Sequence, residues 1–193
     1  MTKYYAVHTK KYWDKISSNK YMTNTLNEEK FPEYYAWMKK EMKKRLPDYP
    51  GDTLLWWWKN NEPETDTFPW GGEEKIEMVL LEVELNESEV LDSHYFIWDF
   101  FCVSDRAIPN YNEFEDDDFY DRTRNLSLKD VQYTWDKVFD LEWCKKHPIL
   151  QDYDYDDEAV QNLQSTSGKV AINRIKVVKT FTPITHTEWL NAD

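Results

Sequence analysis

Lys75-Ile-Glu-Met-Val-Leu-Leu-Glu-Val-Glu-Leu85 has the composition of a long β-strand. Apolar residues occupy both sets of alternating positions, so each face of this strand would meet apolar neighbours. A strand that is buried on both faces lies inside a sheet and not at its edge. The sequence therefore predicts a sheet that extends on both sides of residues 75–85.

Further strands and helices are predicted on either side of this strand. Strands are predicted at residues 4–9 and 53–59, and a C-terminal β-hairpin is predicted from residues 159–164 and 169–181 around the turn Ser165-Thr-Ser-Gly168. Helices are predicted at residues 9–17, 32–46 and 93–102 and from Ser127 onwards. Residues 103–126 are predicted to be irregular. These elements predict a single compact α+β domain over residues 1–193, with a mixed or antiparallel sheet and flanking helices.

The composition is that of a folded protein of one domain. The chain has 193 residues, of which 40% are apolar and 17% aromatic, whereas disordered chains are poor in aromatic residues. Only four glycines occur, and neither a GxGxxG motif nor a P-loop motif is present. The two cysteines, the N-terminus without a signal-type apolar region and the lack of a long apolar run predict a cytoplasmic protein with no membrane span.

Negative charge is concentrated in one part of the chain. Residues 86–158 carry 20 acidic and 7 basic side chains, a balance of −13 that equals the net charge of the whole protein. Two runs within this window combine carboxylates with aromatic residues, Asn110–Asp121 and Asp152–Glu158. Such a surface repels nucleic acid and attracts proteins that bind nucleic acid.

These two runs supply candidate residues for binding a basic, nucleic-acid-binding protein. Carboxylates would steer the partner, and aromatic side chains would anchor it, because aromatic residues dominate interface energetics. The predicted steering residues are Asp116, Asp117, Asp118, Asp154, Asp156 and Asp157, and the predicted anchors are Phe114, Phe119, Tyr153 and Tyr155. The alternative is an acidic surface that only keeps the protein soluble. Direct binding of nucleic acid is disfavoured, because basic residues are scattered and outnumbered.

Metal-ligating residue types suggest a second kind of site. Cys144 and His147 are three residues apart, and His94 and Cys102, which are eight apart, would complete a tetrahedral zinc site if their helix packs alongside. A zinc signature normally has two close pairs of ligands, and only one close pair is present here. Buried cysteines and a surface histidine are the alternative interpretation.

The order of three residues is similar to that of small ADP-ribosyltransferases. In that family a first strand ends in His or Arg, a second strand offers an aromatic residue, and a later strand begins near a Glu. His8, Trp57 within Trp56–Trp58, and Glu158 follow this order, with Gln161 as an alternative to Glu158. The resemblance implies an NAD-consuming enzyme. The competing interpretation is that His8 ends a strand, Trp57 lies in the core and Glu158 belongs to an acidic loop.

Several stretches together resemble one family over nearly the whole chain. They are Tyr34-Tyr-Ala-Trp-Met38, Leu55-Trp-Trp-Trp58, Val90-Leu-Asp-Ser93 followed by Trp98, Thr134-Trp-Asp-Lys-Val-Phe-Asp-Leu141, and Val160-Gln161. Their order and spacing are similar to those of the uncharacterised bacterial and phage family known as domain of unknown function 3841. The resemblance implies a single domain of bacterial or mobile-element origin and implies no activity. His8 departs from the family, which we would align with Gln at that position.

The acidic runs and this resemblance favour one functional hypothesis over two others. The favoured function is an inhibitor of a nucleic-acid-handling bacterial defence system, of the anti-CRISPR type, that occupies a basic groove as a nucleic acid would. The alternatives are an NAD-consuming enzyme and a zinc-stabilised interaction domain.

Overall fold

The strand predicted at residues 75–85 is formed by Met78–Leu85 and lies inside a six-stranded antiparallel sheet. The computed structural model describes residues 1–23, 32–49, 51, 53–59, 62–63, 65, 71–102, 106–152 and 163–191. Buried residues of Met78–Leu85 belong to both faces of the strand, which explains its interior position.

Two sheets contain all the strands of the described residues. The strands, numbered in chain order, are β1 (Thr2–Thr9), β2 (Tyr21–Met22), β3 (Leu55–Lys59), β4 (Met78–Leu85), β5 (Val90–His94), β6 (Leu163–Ser167), β7 (Val170–Ala171) and β8 (Ile175–Phe181). Their order in the large sheet is β5-β6-β3-β1-β4-β8, while β2 and β7 form a separate pair. All neighbouring strands are antiparallel. The predicted α+β fold is confirmed, with a fully antiparallel sheet.

The C-terminal hairpin predicted from residues 159–181 is wrong over its described part, residues 163–181, and residues 159–162 lie outside the described residues. Strand β6 lies between β5 and β3, with Ser167 opposite Val90 on one side and opposite Leu55 on the other. Both edges of β6 are therefore occupied, and β8 pairs with β4 at the far end of the sheet. Small polar residues at 165–167 indicated a turn, but pairing and burial in the sheet outweigh that local preference.

The described ranges contain eight α-helices, all but one of them seven residues long or shorter. They are α1 (Lys10–Ile16), α2 (Pro32–Arg45), α3 (Tyr95–Ile97), α4 (Asp117–Thr123), α5 (Leu128–Gln132), α6 (Leu141–Cys144), α7 (Ile149–Asp152) and α8 (His186–Leu190). A π-helical turn continues α3 over Trp98–Cys102, and a 3₁₀ turn spans Trp135–Phe139. The longest helix in the described ranges is α2, with 14 residues, and none there has the length and apolar character that a membrane span requires.

The predicted starts of α1 and α5 are confirmed by their caps, and two other predictions are corrected. The hydroxyl of Thr9 accepts from the backbone N–H of Tyr12, and Ser127 caps α5 in the same way. Ser93 does not cap a helix, because it belongs to β5 opposite Gln164. The acidic segment predicted to be irregular contains α4, since carboxylates in a first helical turn complement the helix dipole.

An aromatic core lies between the sheet and the layer formed by α2 to α7. Trp37 stacks on Trp98 with ring centroids 5.5 Å apart, and Trp135 meets Trp37 edge-on at 5.3 Å. Trp56 of β3 contacts Trp98 at 5.5 Å, which joins the sheet to this layer. A second core on the opposite face packs α1 and the β2–β7 pair against the sheet.

Removing Trp135 is expected to destabilise the fold strongly. The side chain is fully buried, so Trp135→Ala leaves a cavity and lowers the free energy of unfolding by about 3–5 kcal/mol. Tyr133→Ala is the matched control, because Tyr133 is 88% exposed and its loss should change stability by less than about 0.5 kcal/mol. Urea unfolding of both variants measures the difference, and equal losses would contradict this assignment of the core.

Candidate functional site

The first acidic run forms a surface segment, which we name the acidic ridge and define as Glu113–Asp121. It carries six carboxylates and no basic residue. Four of the six side chains are exposed, namely those of Glu115, Asp117, Asp118 and Asp121. Two arginines follow the ridge. Arg122 lies 3.5 Å from Asp116 and Arg124 lies 3.5 Å from Asp121, and these exposed ion pairs contribute little to stability. Residues 113–124 together carry six acidic and two basic side chains, so the ridge keeps a net charge of −4 when both arginines are counted.

Local hydrogen bonds give the acidic ridge its shape. The side chain and backbone N–H groups of Asn110 both donate to one carboxylate oxygen of Glu113, at 2.7 and 2.9 Å. Asp116 then caps α4 by accepting from the backbone N–H of Asp118 at 2.9 Å. Phe119 packs into the aromatic core and holds the helix against the protein. The exposed carboxylates are therefore presented from a folded backbone.

The chain leading into the ridge, residues 106–111, is held by side-chain hydrogen bonds to residues 134–147. Four of these bonds involve backbone groups of residues 106–109, and in the fifth the hydroxyl of Tyr111 donates to a backbone carbonyl. They join Trp135 Nε1 to Arg106 O (2.8 Å), Ile108 N to Thr134 Oγ1 (2.9 Å), Lys137 Nζ to Ile108 O (2.8 Å), His147 Nε2 to Pro109 O (3.3 Å) and Tyr111 OH to Trp143 O (2.6 Å). A segment held in this way loses little conformational entropy when it binds a partner.

The aromatic residues of the run do not lie where the sequence predicted them. Phe119 is only 8% exposed and belongs to the core, so its predicted role as a partner anchor is wrong. Phe114 is half-buried and packs on the ring of His147, with centroids 5.3 Å apart. Tyr111, which is 39% exposed, stacks on Trp143 at 5.2 Å.

Tyr133 is an exposed aromatic residue that sequence reasoning missed. Its side chain is 88% exposed, between Asp130 and Asp136 three residues away on either side. The helical phase contained the signal, because Val131 and Trp135 are four residues apart and share one face of a helix, so Tyr133 midway between them lies on the opposite face. Asp136 is oriented by Arg45, whose guanidinium lies 2.6 Å from its carboxylate.

Apart from Asp152, which ends α7, the second acidic run lies outside the described residues. The predicted binding residues in it stay predictions, namely Tyr153, Asp154, Tyr155, Asp156 and Asp157. Glu158 and Gln161 of the predicted NAD site fall in the same range.

The predicted zinc site is wrong, because the structure brings no three of its four residues together. Within the described part of the chain, which includes all four, no group of three or more His, Cys, Asp or Glu side chains is arranged to hold a metal ion. Cys144 Sγ donates to the carbonyl of Lys137 at 3.3 Å, and burial raises the pKa of this thiol to about 12. His147 uses both ring nitrogens in hydrogen bonds to backbone groups. His94 and Cys102 are fully buried in the fold.

Trp57 and His8 are the two described residues of the predicted NAD site, and both pack against neighbouring side chains of the fold. Trp57 is 1% exposed, and its indole N–H donates to the hydroxyl of Ser167 at 2.8 Å. A ring enclosed in this way has no open face on which a nicotinamide could stack. His8 is the next-to-last residue of β1 and lies beside Tyr12, with ring centroids 5.0 Å apart, and burial lowers its pKa to about 4.

No protein-family model, curated protein or solved structure matches this chain. The resemblance to the family known as domain of unknown function 3841 stays a prediction.

The depressed pKa of His8 predicts that acid weakens the fold. The unfolded chain binds a proton near pH 6.5 and the folded chain only near pH 4, so stability is lost as the pH falls between these values. Between pH 7.5 and pH 5 the wild type should lose about 2 kcal/mol more unfolding free energy than His8→Gln, which cannot titrate there. Urea unfolding at the two pH values measures this difference, and identical losses in both proteins would contradict the assignment.

Proposed function

We propose that the protein binds a basic, nucleic-acid-binding bacterial protein through the acidic ridge and thereby blocks the groove in which that protein holds nucleic acid. The observation that supports this proposal is the presentation of four exposed carboxylates on a backbone segment that other side chains hold in place. A defence system that handles nucleic acid is the target class that we infer.

Charge explains why the partner would be a nucleic-acid-binding protein. Asp117 and Asp121 are four residues apart on α4, which places their side chains about 5–6 Å apart on one helix face. Asp118 is three residues from Asp121 and adds a third carboxylate close by. A groove that binds the closely spaced charges of a phosphate backbone attracts such an array and gains speed of association from it.

Tyr133 is the anchor that we propose in place of Phe119. Tyrosine is enriched among the residues that dominate binding energy, and the exposed ring of Tyr133, three residues from Asp130 in sequence, suits an apolar pocket on the partner. Association through the acidic ridge would be fast at low salt, and both its rate and the affinity would fall as salt screens the carboxylates.

The first test of this proposal is to capture the partner from a bacterial lysate. The immobilised protein is incubated with bacterial lysate, washed at low and high salt, and competed with duplex DNA. We expect to recover a nucleic-acid-binding protein that DNA displaces. If no such protein is retained, the acidic surface serves solubility alone.

Neutralising the ridge is expected to weaken the captured complex. The variant Asp117→Asn/Asp118→Asn/Asp121→Asn keeps side-chain size and removes three charges, and we expect at least about tenfold weaker binding at low salt, with a smaller effect at high salt. Titration calorimetry with the purified partner measures both affinities.

The matched control removes the same number of negative charges from another part of the protein. Glu62→Gln/Glu74→Gln/Glu77→Gln neutralises three exposed carboxylates outside the ridge and should leave affinity nearly unchanged. Equal weakening by both triple variants would show that only net charge matters. An unchanged affinity in the ridge variant would remove the ridge from the interface.

Tyr133→Ala separates anchoring from steering. We expect it to raise the dissociation rate by an order of magnitude or more, while the association rate and its salt dependence stay the same. Surface plasmon resonance measures both rates. An unchanged dissociation rate would remove Tyr133 from the interface.

A further inference from the structure

His147 lies at the contact between the acidic ridge and the helices that support it. Its side chain is fully buried. Four aromatic rings surround the imidazole, with centroids between 4.9 and 6.0 Å away, namely those of Trp143, Phe114, Tyr111 and Phe101. Two of the four, Tyr111 and Phe114, belong to the chain that enters or begins the ridge.

The hydrogen bonds of His147 define one tautomer of its ring. The backbone N–H of Ile149 points at Nδ1 from 3.3 Å, so Nδ1 must be an acceptor without a proton. The carbonyl oxygen of Pro109 lies 3.3 Å from Nε2 and can only accept, so Nε2 carries the proton and donates. The imidazole therefore links the start of α7 to the chain that leads into the ridge.

The surroundings keep this ring neutral. Burial lowers the pKa of His147 to about 4, although the bond to the Pro109 carbonyl raises it, and the ammonium group of Lys137 lowers it further. Lys137 itself donates to Ile108, one residue before Pro109, so the two side chains hold adjacent carbonyl groups of the same segment.

We propose that His147 is a positioning residue of the acidic ridge, and that its bond from Nε2 to the carbonyl of Pro109 holds the ridge in its binding geometry. The link to partner binding rests on the proposed function. The claim that this hydrogen bond positions the ridge is independent of that function, because it is tested on the isolated protein.

Two substitutions separate the two hydrogen bonds of the ring. In His147→Gln the amide nitrogen takes the place of Nε2 and keeps the donor to Pro109. In His147→Asn the amide oxygen takes the place of Nδ1 and keeps the acceptor for Ile149. Both variants lose the imidazole ring, so loss of ring packing alone affects them similarly.

Hydrogen exchange of the full-length variants is the test. We expect the amides of Ile108, Glu113 and Asp116 to exchange up to about tenfold faster in His147→Asn than in His147→Gln, the effect of one neutral hydrogen bond. The pair His186→Asn and His186→Gln, on the exposed helix α8, should show no such difference. Equal exchange in the two His147 variants would overturn the proposal.

A measurement on the wild type covers the case in which a variant does not fold. Nitrogen NMR of the imidazole at pH 7 should show a proton on Nε2 and none on Nδ1. The opposite tautomer, or a ring protonated at both positions, would overturn the proposal. Neither experiment uses a partner, so failure of the proposed binding function would be seen separately, in the capture experiment.

Discussion

The buried indole of Trp135 joins the aromatic core to the acidic surface. One side of the ring packs in the cluster with Trp37 and Trp98, while its N–H donates to the carbonyl of Arg106. A buried indole N–H needs a partner, and here the partner is the backbone that leads to the ridge. Thr134 and Lys137, close to Trp135 in sequence, bind the backbone N–H and the carbonyl of Ile108, two residues after Arg106. The packing of Trp135 thus places Arg106, at the start of the chain that leads to the charged surface.

In the ridge the charged side chains face solvent and the phenylalanine rings face the protein, and the cost of burial explains this arrangement. An unpaired carboxylate is expensive to remove from water, whereas an aromatic ring gains free energy when buried. Asp117, Asp118 and Asp121 therefore face solvent while Phe119 between them enters the core. The mixed run resembles an interface in sequence, but in the fold its phenylalanines serve mainly to attach the carboxylates to the protein.

Local signals predicted much of the fold. Thr9, Ser127 and the apolar spacing of residues 32–46 marked helices that the structure contains, and β1, β3 and β4 lie within or close to the predicted ranges. These signals act over a few residues, so they are readable without knowing distant neighbours. The C-terminal hairpin failed because the neighbours of β6 are β3 and β5, which come from far earlier in the chain.

The sign of the charge, its concentration in residues 86–158 and the α+β class could be predicted without the structure, because these properties depend on composition and short-range periodicity. Tertiary structure alone decided that Phe119 is internal and Tyr133 external, and that Cys144 and His147 bind backbone groups. It also decided that His147 lies against Pro109, 38 residues earlier. The physical reason is that burial and hydrogen-bond partners are properties of all the segments that meet at a point, and spacing along the chain does not specify which segments meet.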